Sequence, residues 1–290
     1  MGWTMFFIGH ITTPAGLVRS LSKPLHIIVL VKAVPDIEQV KFDEATGRID
    51  RRNAKLEANP FDLNALEIAV RIKEQQGGTV SVLSMGPPQA EEVLRDTISR
   101  GADRAILMTD GAFAGADTWA TSNSIMGGVR RLGQFDLILA GEKTVDGDTG
   151  QVGPELAALL DLPSECYVDS VDRVSDGNIE VTCDYGTHQY VKEVPFPCVI
   201  SVTKNVANPR LPKLSDKIRS KKAVVEIWKA DDIGQFVDKA RLGTVGSPTH
   251  VIKIRTTSES KRNCRMLTGE PSKVAKELAD TIEGWLVGGA

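Results

Sequence analysis

The 290-residue chain, with 41% hydrophobic and 25% charged residues, has the make-up of a globular protein of one large domain or two small ones. A net charge of −3 provides no basic field for nucleic acid or an anionic membrane, and no apolar run reaches the length of a membrane span. Cys166, Cys183, Cys198 and Cys264 form no CxxC pair, and His10, His26, His188 and His250 have no metal-ligand spacing; this argues against zinc or a disulfide framework and for free thiols in a reducing, cytoplasmic setting.

Residues 1–24 carry an apolar cluster at 5–8 without a basic stretch ahead of it or a small-residue cleavage site. They read as a poorly ordered extension rather than a signal peptide. HIIVLVKAV, 26–34, is a β-branched run typical of a strand buried on both faces, ended by Val34-Pro35-Asp36. Residues 40–52 alternate around Ala45-Thr46-Gly47, an exposed hairpin. Asn59-Pro60-Phe61-Asp62 opens a helix that Asn59 or Asp62 can cap, with Leu63, Leu66, Ala69 and Val70 as its apolar stripe. A strand at 79–84, a turn at 85–88 and a helix at 90–100 follow, then a strand at 104–108 and a helix over 117–132.

The stretch LILAGEKTVDGDTGQVGPELAALL, 137–160, is a buried strand, a glycine-punctuated loop and a helix start with Pro154 in its first turn. Free backbone N–H groups and a helix dipole converge at such a place, which suits an anion. The loop is neither a Walker loop nor GxGxxG. Asp146 and Asp148 would repel a phosphate unless turned to ribose or solvent, and spacing alone leaves a plain surface loop open.

Strands alternating with helices imply an α/β, doubly wound, mainly parallel sheet of Rossmann-like, adenine-nucleotide-binding type. Ligands of such sheets bind beyond the carboxyl ends of the strands. Residues 31–36, 85–89, 109–121 and 141–151 can therefore line one crevice with the helix start at Asn59. No nucleophile, paired acid and base or metal-ligand set accompanies them, so no catalytic residue is assigned.

Beyond 161 the pattern turns β-rich. Residues 170–174 and 179–183 flank the hairpin signal Ser175-Asp176-Gly177, and 191–194 and 198–202 continue as strands. Asn208-Pro209-Arg210-Leu211-Pro212 opens a basic segment, 213–222, which is a solvated face or a docking segment. Residues 228–234 make a short helical turn, 251–254 a short strand and 271–287 a final helix.

VLVKAVPD (29–36), NPFDLNALEIAVRIKE (59–74), VLSMGPPQAEEVLR (82–95), GADRAILMTD (101–110), GEKTVDGDTGQVGP (141–154) and NPR (208–210) occur in one order along the chain. From residue 25 to its end the chain resembles the β subunit of electron-transfer flavoproteins, and DGDTGQVGP with FAGADTWATS (113–122) is similar to the electron-bifurcating type. The resemblance implies a heterodimer with an α subunit, and a nucleotide in this subunit: FAD in the bifurcating type, AMP in the common one. It places the nucleotide against Leu30, Val31, Lys32, Asn59, Pro60, Phe61, Asp62, Met85 and Gly86. It adds Thr118 and Thr121 against the flavin, and Gly141, Glu142, Lys143, Thr144, Val145, Asp146, Gly147, Asp148, Thr149, Gly150, Gln151 and Val152 of the loop.

It further implies a recognition loop, about 203–222, where Val206, Asn208, Pro209 and Arg210 dock a dehydrogenase. The expected organisation is an extension over 1–24, a nucleotide-binding domain over 25–240, and an arm over 241–290 that contacts the α subunit. Two functions follow: an FAD-bearing subunit passing electrons from NADH or an acyl-CoA-type dehydrogenase, by bifurcation in that subgroup, or an AMP-holding scaffold. An adenine-nucleotide hydrolase or ATP-sensing domain of the same sheet type is the weaker third, lacking a serine-glycine-rich pyrophosphate loop and a catalytic acid.

Overall fold

The computed structural model describes residues 23–36, 41–43, 48–50, 55–250, 252 and 264–288. The chain divides into two units, Met1–Val251 and Ile252–Ala290. The first is built on strands whose side chains are apolar toward both faces, which only a sheet covered on both sides can bury. In β1 (Leu25–Leu30), Ile27 and Val29 enter one core while Ile28 and Leu30 enter the other. The same alternation runs through β6 (Gly78–Met85), β7 (Arg104–Met108) and β8 (Leu137–Gly141).

Helices α1 (Pro60–Gln76) and α2 (Ala90–Ser99) pack on the face of Ile27 and Val29 through residues such as Leu66, Val70, Val93 and Leu94. Helices α3 (Thr118–Leu132) and α4 (Val152–Leu160) cover the opposite face with Ile125, Met126, Val129 and Leu156. With β12 (Cys198–Val202) and β13 (Glu226–Trp228) the parallel strands stand in the order β12-β8-β1-β6-β7-β13. This is a doubly wound α/β fold, as expected. The chain runs from β1 outward through β6 and β7, then crosses to the other side of β1 as β8. The switch point therefore lies between the carboxyl ends of β1 and β8.

The β-rich extension is a continuation of this sheet. The long strand β9 (Ser164–Ser175) starts parallel to β12 and then pairs antiparallel with β10 (Asn178–Asp184), which pairs with β11 (Gln189–Pro195). Its start was not foreseen, because Tyr167 at φ 57° and the register shift beside it against β12 interrupt the alternation. The basic segment contains a short helix, α5 (Leu214–Ser220), and α6 (Ala230–Ile233) follows β13.

The expected strand 26–34 is cut in two. The N–H of Val31 makes a last bond to the carbonyl of Leu83 at 3.1 Å, Lys32 leaves the ladder, and the chain resumes as β2 (Ala33–Pro35) paired with β5 (Leu56–Ala58). The expected hairpin is present as β3 (Lys41–Asp43) with β4 (Arg48–Asp50). Most of the N-terminal extension and of the proposed strand at 251–254 lies outside the described residues. After α7 (Gly243–Gly246) the first unit ends. In the second unit, α8 (Pro271–Gly288) carries Leu278, Ile282, Trp285 and Leu286 at helical spacing, all of them exposed. No helix among the described residues is long and apolar enough to cross a membrane.

Candidate functional site

A cleft of about 740 Å³ opens at the switch point. Its walls come from the ends of β1, β6 and β8, the loop after β8, and the first turns of α3 and α4. Parallel strands force this convergence: each following helix must begin at the carboxyl end of its strand and so directs free N–H groups to the same rim. The volume falls within the range of whole small-molecule sites, about 300–1,000 Å³.

Asn59 and Asp62 at the start of α1 hold the rim together. Neither caps the helix as expected: Asn59 occupies the cap position without a side-chain cap bond. Asp62, 5% exposed, accepts the N–H of Lys32 at 2.8 Å and the N–H of Gly141 at 3.1 Å. One carboxyl thus ties the end of β1 to the end of β8, where the sheet ladder gives out. Burial pushes the Asp62 carboxyl up to about 7, although both backbone donors, the Asn59 side chain and the Lys32 charge pull it down. Asn59, wholly buried, donates to the carbonyl of Lys143 at 2.9 Å and accepts the N–H of Val145 at 3.2 Å. Gly141 has to be glycine, since a Cβ there would lie 2.5 Å from Asp62 Oδ1 and 2.6 Å from Phe61 Cβ.

The loop itself is a turn closed by Asp148 N–H to Thr144 carbonyl at 2.8 Å, with Asp148 at φ 52° and Gly150 at φ 64°. Its charges are paired. Lys32 Nζ lies 2.8 Å from Asp146, and Lys143 Nζ lies 2.9 Å from Asp148. Burial favours protonating Asp146, yet Lys32 and Thr144 hold its carboxyl below the usual range.

The opposite wall is the start of α3. Asp117 caps it, accepting from Ala120 N–H at 3.0 Å, and its other oxygen accepts the N–H and hydroxyl of Thr249 at 3.0 and 2.8 Å. Burial works against ionising Asp117, but these donors keep its carboxyl low. The Thr118 hydroxyl sits 3.1 Å from Gln151 Oε1 and 3.0 Å from Glu155 Oε1, and Ser122 donates to Glu155 at 2.8 Å. Glu155 in the first turn of α4 thereby locks the two helix starts side by side.

Of the residues expected at the site, Leu30, Val31, Lys32, Asp62, Met85, Thr118, Thr121, Gly141, Glu142, Lys143, Thr144, Gly147, Thr149, Gly150, Gln151 and Val152 line the cleft. Asn59 stands behind the wall as a tie, and Pro60, Phe61, Val145, Asp146 and Asp148 are not among its lining. Gly86 lines a neighbouring hollow of about 680 Å³ that shares Met85 and Phe113 with the cleft. Phe113 and Asp117 lie within the expected crevice segment 109–121, while Leu83, Ile125 and Thr249 line the cleft without having been singled out. The apolar ones have no mark distinguishing them from core, and Thr249 comes from a segment with no motif. Among the described residues, no cluster of His, Cys, Asp and Glu is placed to hold a metal ion.

The segment expected to dock a partner is fastened to α1. Asn64 donates to the carbonyls of Lys204 and Ala207 at 3.2 and 2.5 Å. Arg210 reaches Glu67 at 2.8 Å and Glu74 at 2.5 Å, and its carbonyl accepts from Arg100 at 2.8 Å. Glu67 is 5% exposed; burial opposes its charge, but Arg210 and Arg71 hold its carboxyl low. Val206 packs partly against the core, and Asn208 is exposed.

The family model of the electron transfer flavoprotein domain matches residues 46–233, a span that contains α1, α3 and the loop. The electron transfer flavoprotein subunit beta of Thermoanaerobacterium thermosaccharolyticum is 38% identical over 259 residues, 89% of this chain and 98% of that protein. That of Clostridium acetobutylicum is 40% identical over 232 residues, 80% of this chain and 88% of that protein. The caffeyl-CoA reductase-Etf complex subunit CarD of Acetobacterium woodii is 38% identical over 261 residues, 89% of this chain and 98% of that protein.

Proposed function

The chain belongs to the electron transfer flavoprotein family as a beta subunit, and on that premise we propose that its cleft holds FAD and serves electron transfer with an α subunit. The observation that supports this most is the extent of the cleft: Thr118 and Thr121 of α3 line the same space as Gly147, Thr149 and Gly150 of the loop. A nucleotide phosphate at the loop fills only one end of it. The wall beyond, Leu83, Phe113, Ile125 and Met85, is apolar and suits a flat ring system shielded from water.

FAD supplies, when bound, hydride acceptance from NADH and one-electron delivery, the chemistry of the bifurcating type. The chain's own work is placement. Gly147 and Gly150 let backbone approach the phosphates, and Asn59 and Asp62 fix the loop and strand ends that present it. Thr118 keeps the α3 wall at a set distance from the loop through Gln151 and Glu155. In this reading α8 turns its exposed apolar side chains to the α subunit, and the segment at 203–222 docks a dehydrogenase with Asn208 exposed and Val206 half-buried behind it, while Arg210 clamps the segment to α1. The name of the relative CarD, a subunit of a caffeyl-CoA reductase-Etf complex, supports such a partner. The setting is the cytoplasm.

AMP in the same cleft is the second reading. It is favoured by the bonds from Asn59 to Lys143 and Val145 and from Gly141 to Asp62, which brace the loop end that a mononucleotide would occupy. Heat release of nucleotide from the co-purified heterodimer, counted by chromatography, separates the two. Two FAD and no AMP per heterodimer is the expected result; one FAD and one AMP would replace the electron-carrying role of this subunit with a scaffold role.

A further inference from the structure

The cleft wall is built against strong positive charge. Lys32 and Lys143 are the cations among its described lining residues, beside the acids Asp62, Asp117 and Glu142. Each lysine is already paired with an aspartate of the loop, at 2.8 and 2.9 Å. The aspartates are not in the lining; they hold the lysines from outside it. Had phosphate affinity alone shaped the loop, the lysines would face the cleft with no aspartate beside them, since an exposed ion pair contributes little to stability.

We propose that Asp146 and Asp148, by neutralising Lys32 and Lys143, set the charge class of the nucleotide this cleft accepts: doubly charged phosphates, such as a dinucleotide's diphosphate bridge or a 5′-monophosphate, over ADP and ATP. The inference rests on the reading that nucleotide phosphates sit at the loop, and it holds for either FAD or AMP. Loop N–H groups and the helix start at Val152 have a fixed, modest capacity for negative charge. A lysine balanced by its own carboxylate adds hydrogen bonds to a phosphate but no net charge, so each further phosphate charge goes uncompensated. A site with bare lysines would instead favour the more highly charged, more abundant nucleoside triphosphates.

The test uses the cofactor-stripped heterodimer and compares AMP with ATP by calorimetry in magnesium-free buffer, for the wild type, Asp146→Asn and Asp148→Asn. Asparagine keeps the shape at both positions and tolerates the left-handed backbone of Asp148. The wild type is expected to bind AMP more tightly than ATP. Each variant should narrow that ratio by roughly five- to tenfold, the effect of the two extra unit charges of ATP across about 10 Å at an effective dielectric of about 60, and the narrowing should fade at high salt. An AMP-to-ATP ratio unchanged in both variants, or an equal loss of both nucleotides, would overturn the proposal by leaving the aspartates a purely structural part. Should one variant fail to fold, the other carries the test alone. A wild type that binds neither AMP nor FAD would overturn the nucleotide reading itself, a separate result.

Discussion

Replacing Asp62 by asparagine probes the tie between the two central strands. The wild-type carboxyl accepts two backbone N–H groups, from Lys32 and Gly141, in a buried place. An amide keeps one acceptor and brings an N–H₂ toward the other donor, a buried mismatch that costs about 1–3 kcal/mol. The carboxyl also titrates where the amide does not. Burial raises it from 3.8 to about 7, so its folded-state value lies above its unfolded one. Its contribution to stability is then full below pH 3.8 and is lost as pH rises through 7. Between pH 5 and pH 8 that loss amounts to about 2–3 kcal/mol. Urea midpoints of the cofactor-loaded heterodimer, at fixed concentration and several pH values, give the difference between wild type and variant. Asp62→Asn should be the less stable at pH 5, and the gap should close or invert by pH 8. A gap that stays constant, or that widens as pH rises, would refute the assignment of Asp62 as a desolvated carboxyl.

Gly141→Ala places a Cβ 2.5 Å from Asp62 Oδ1; overpacking should cost about 1–3 kcal/mol and lower both the melting temperature and the nucleotide retained after gel filtration. Thr118→Val removes the hydroxyl between Gln151 and Glu155, for about 1 kcal/mol of stability and a faster nucleotide off-rate in stopped-flow displacement. Arg210→Met leaves the buried Glu67 with Arg71 and the backbone N–H of residue 210, at a cost of about 2 kcal/mol, and limited proteolysis should then cut at 204–213. Because Arg210 holds the Glu67 carboxyl below its unfolded value, the clamp stabilises above pH 4.5 and weakens as pH falls; the variant should show less of that acid sensitivity.

The central strands were legible because a strand buried on both faces has no polar positions to hide it, as in 27–30, 105–108 and 137–140. Helices α1 to α4 announced themselves through apolar stripes and the Pro, Gly and Asp residues at their ends, of which Asp117 makes a side-chain cap bond, whereas α5 and α7 were not foreseen. What the sequence could not distinguish was which polar group serves a helix and which serves the site. Asn59 and Asp62 have the residue types and the position of caps, yet their side chains bond to Lys143, Val145, Lys32 and Gly141, far along the chain. Arg210 and Glu67 are 143 positions apart, and Thr249 reaches Asp117 across 132; no local pattern encodes such pairs. The loop's own aspartates looked like a liability for an anion site until the geometry showed each beside a lysine.

The central claim is that the cleft between β1 and β8 of this chain holds a flavin nucleotide. Hydrogen exchange by mass spectrometry on the cofactor-stripped heterodimer, before and after adding FAD, tests it at the level of segments. The account predicts slowed exchange at 30–32, 118–121 and 141–153 of this chain, in addition to any in the α subunit. Protection confined to the α subunit, with 118–121 and 141–153 unchanged at saturating FAD, would contradict it.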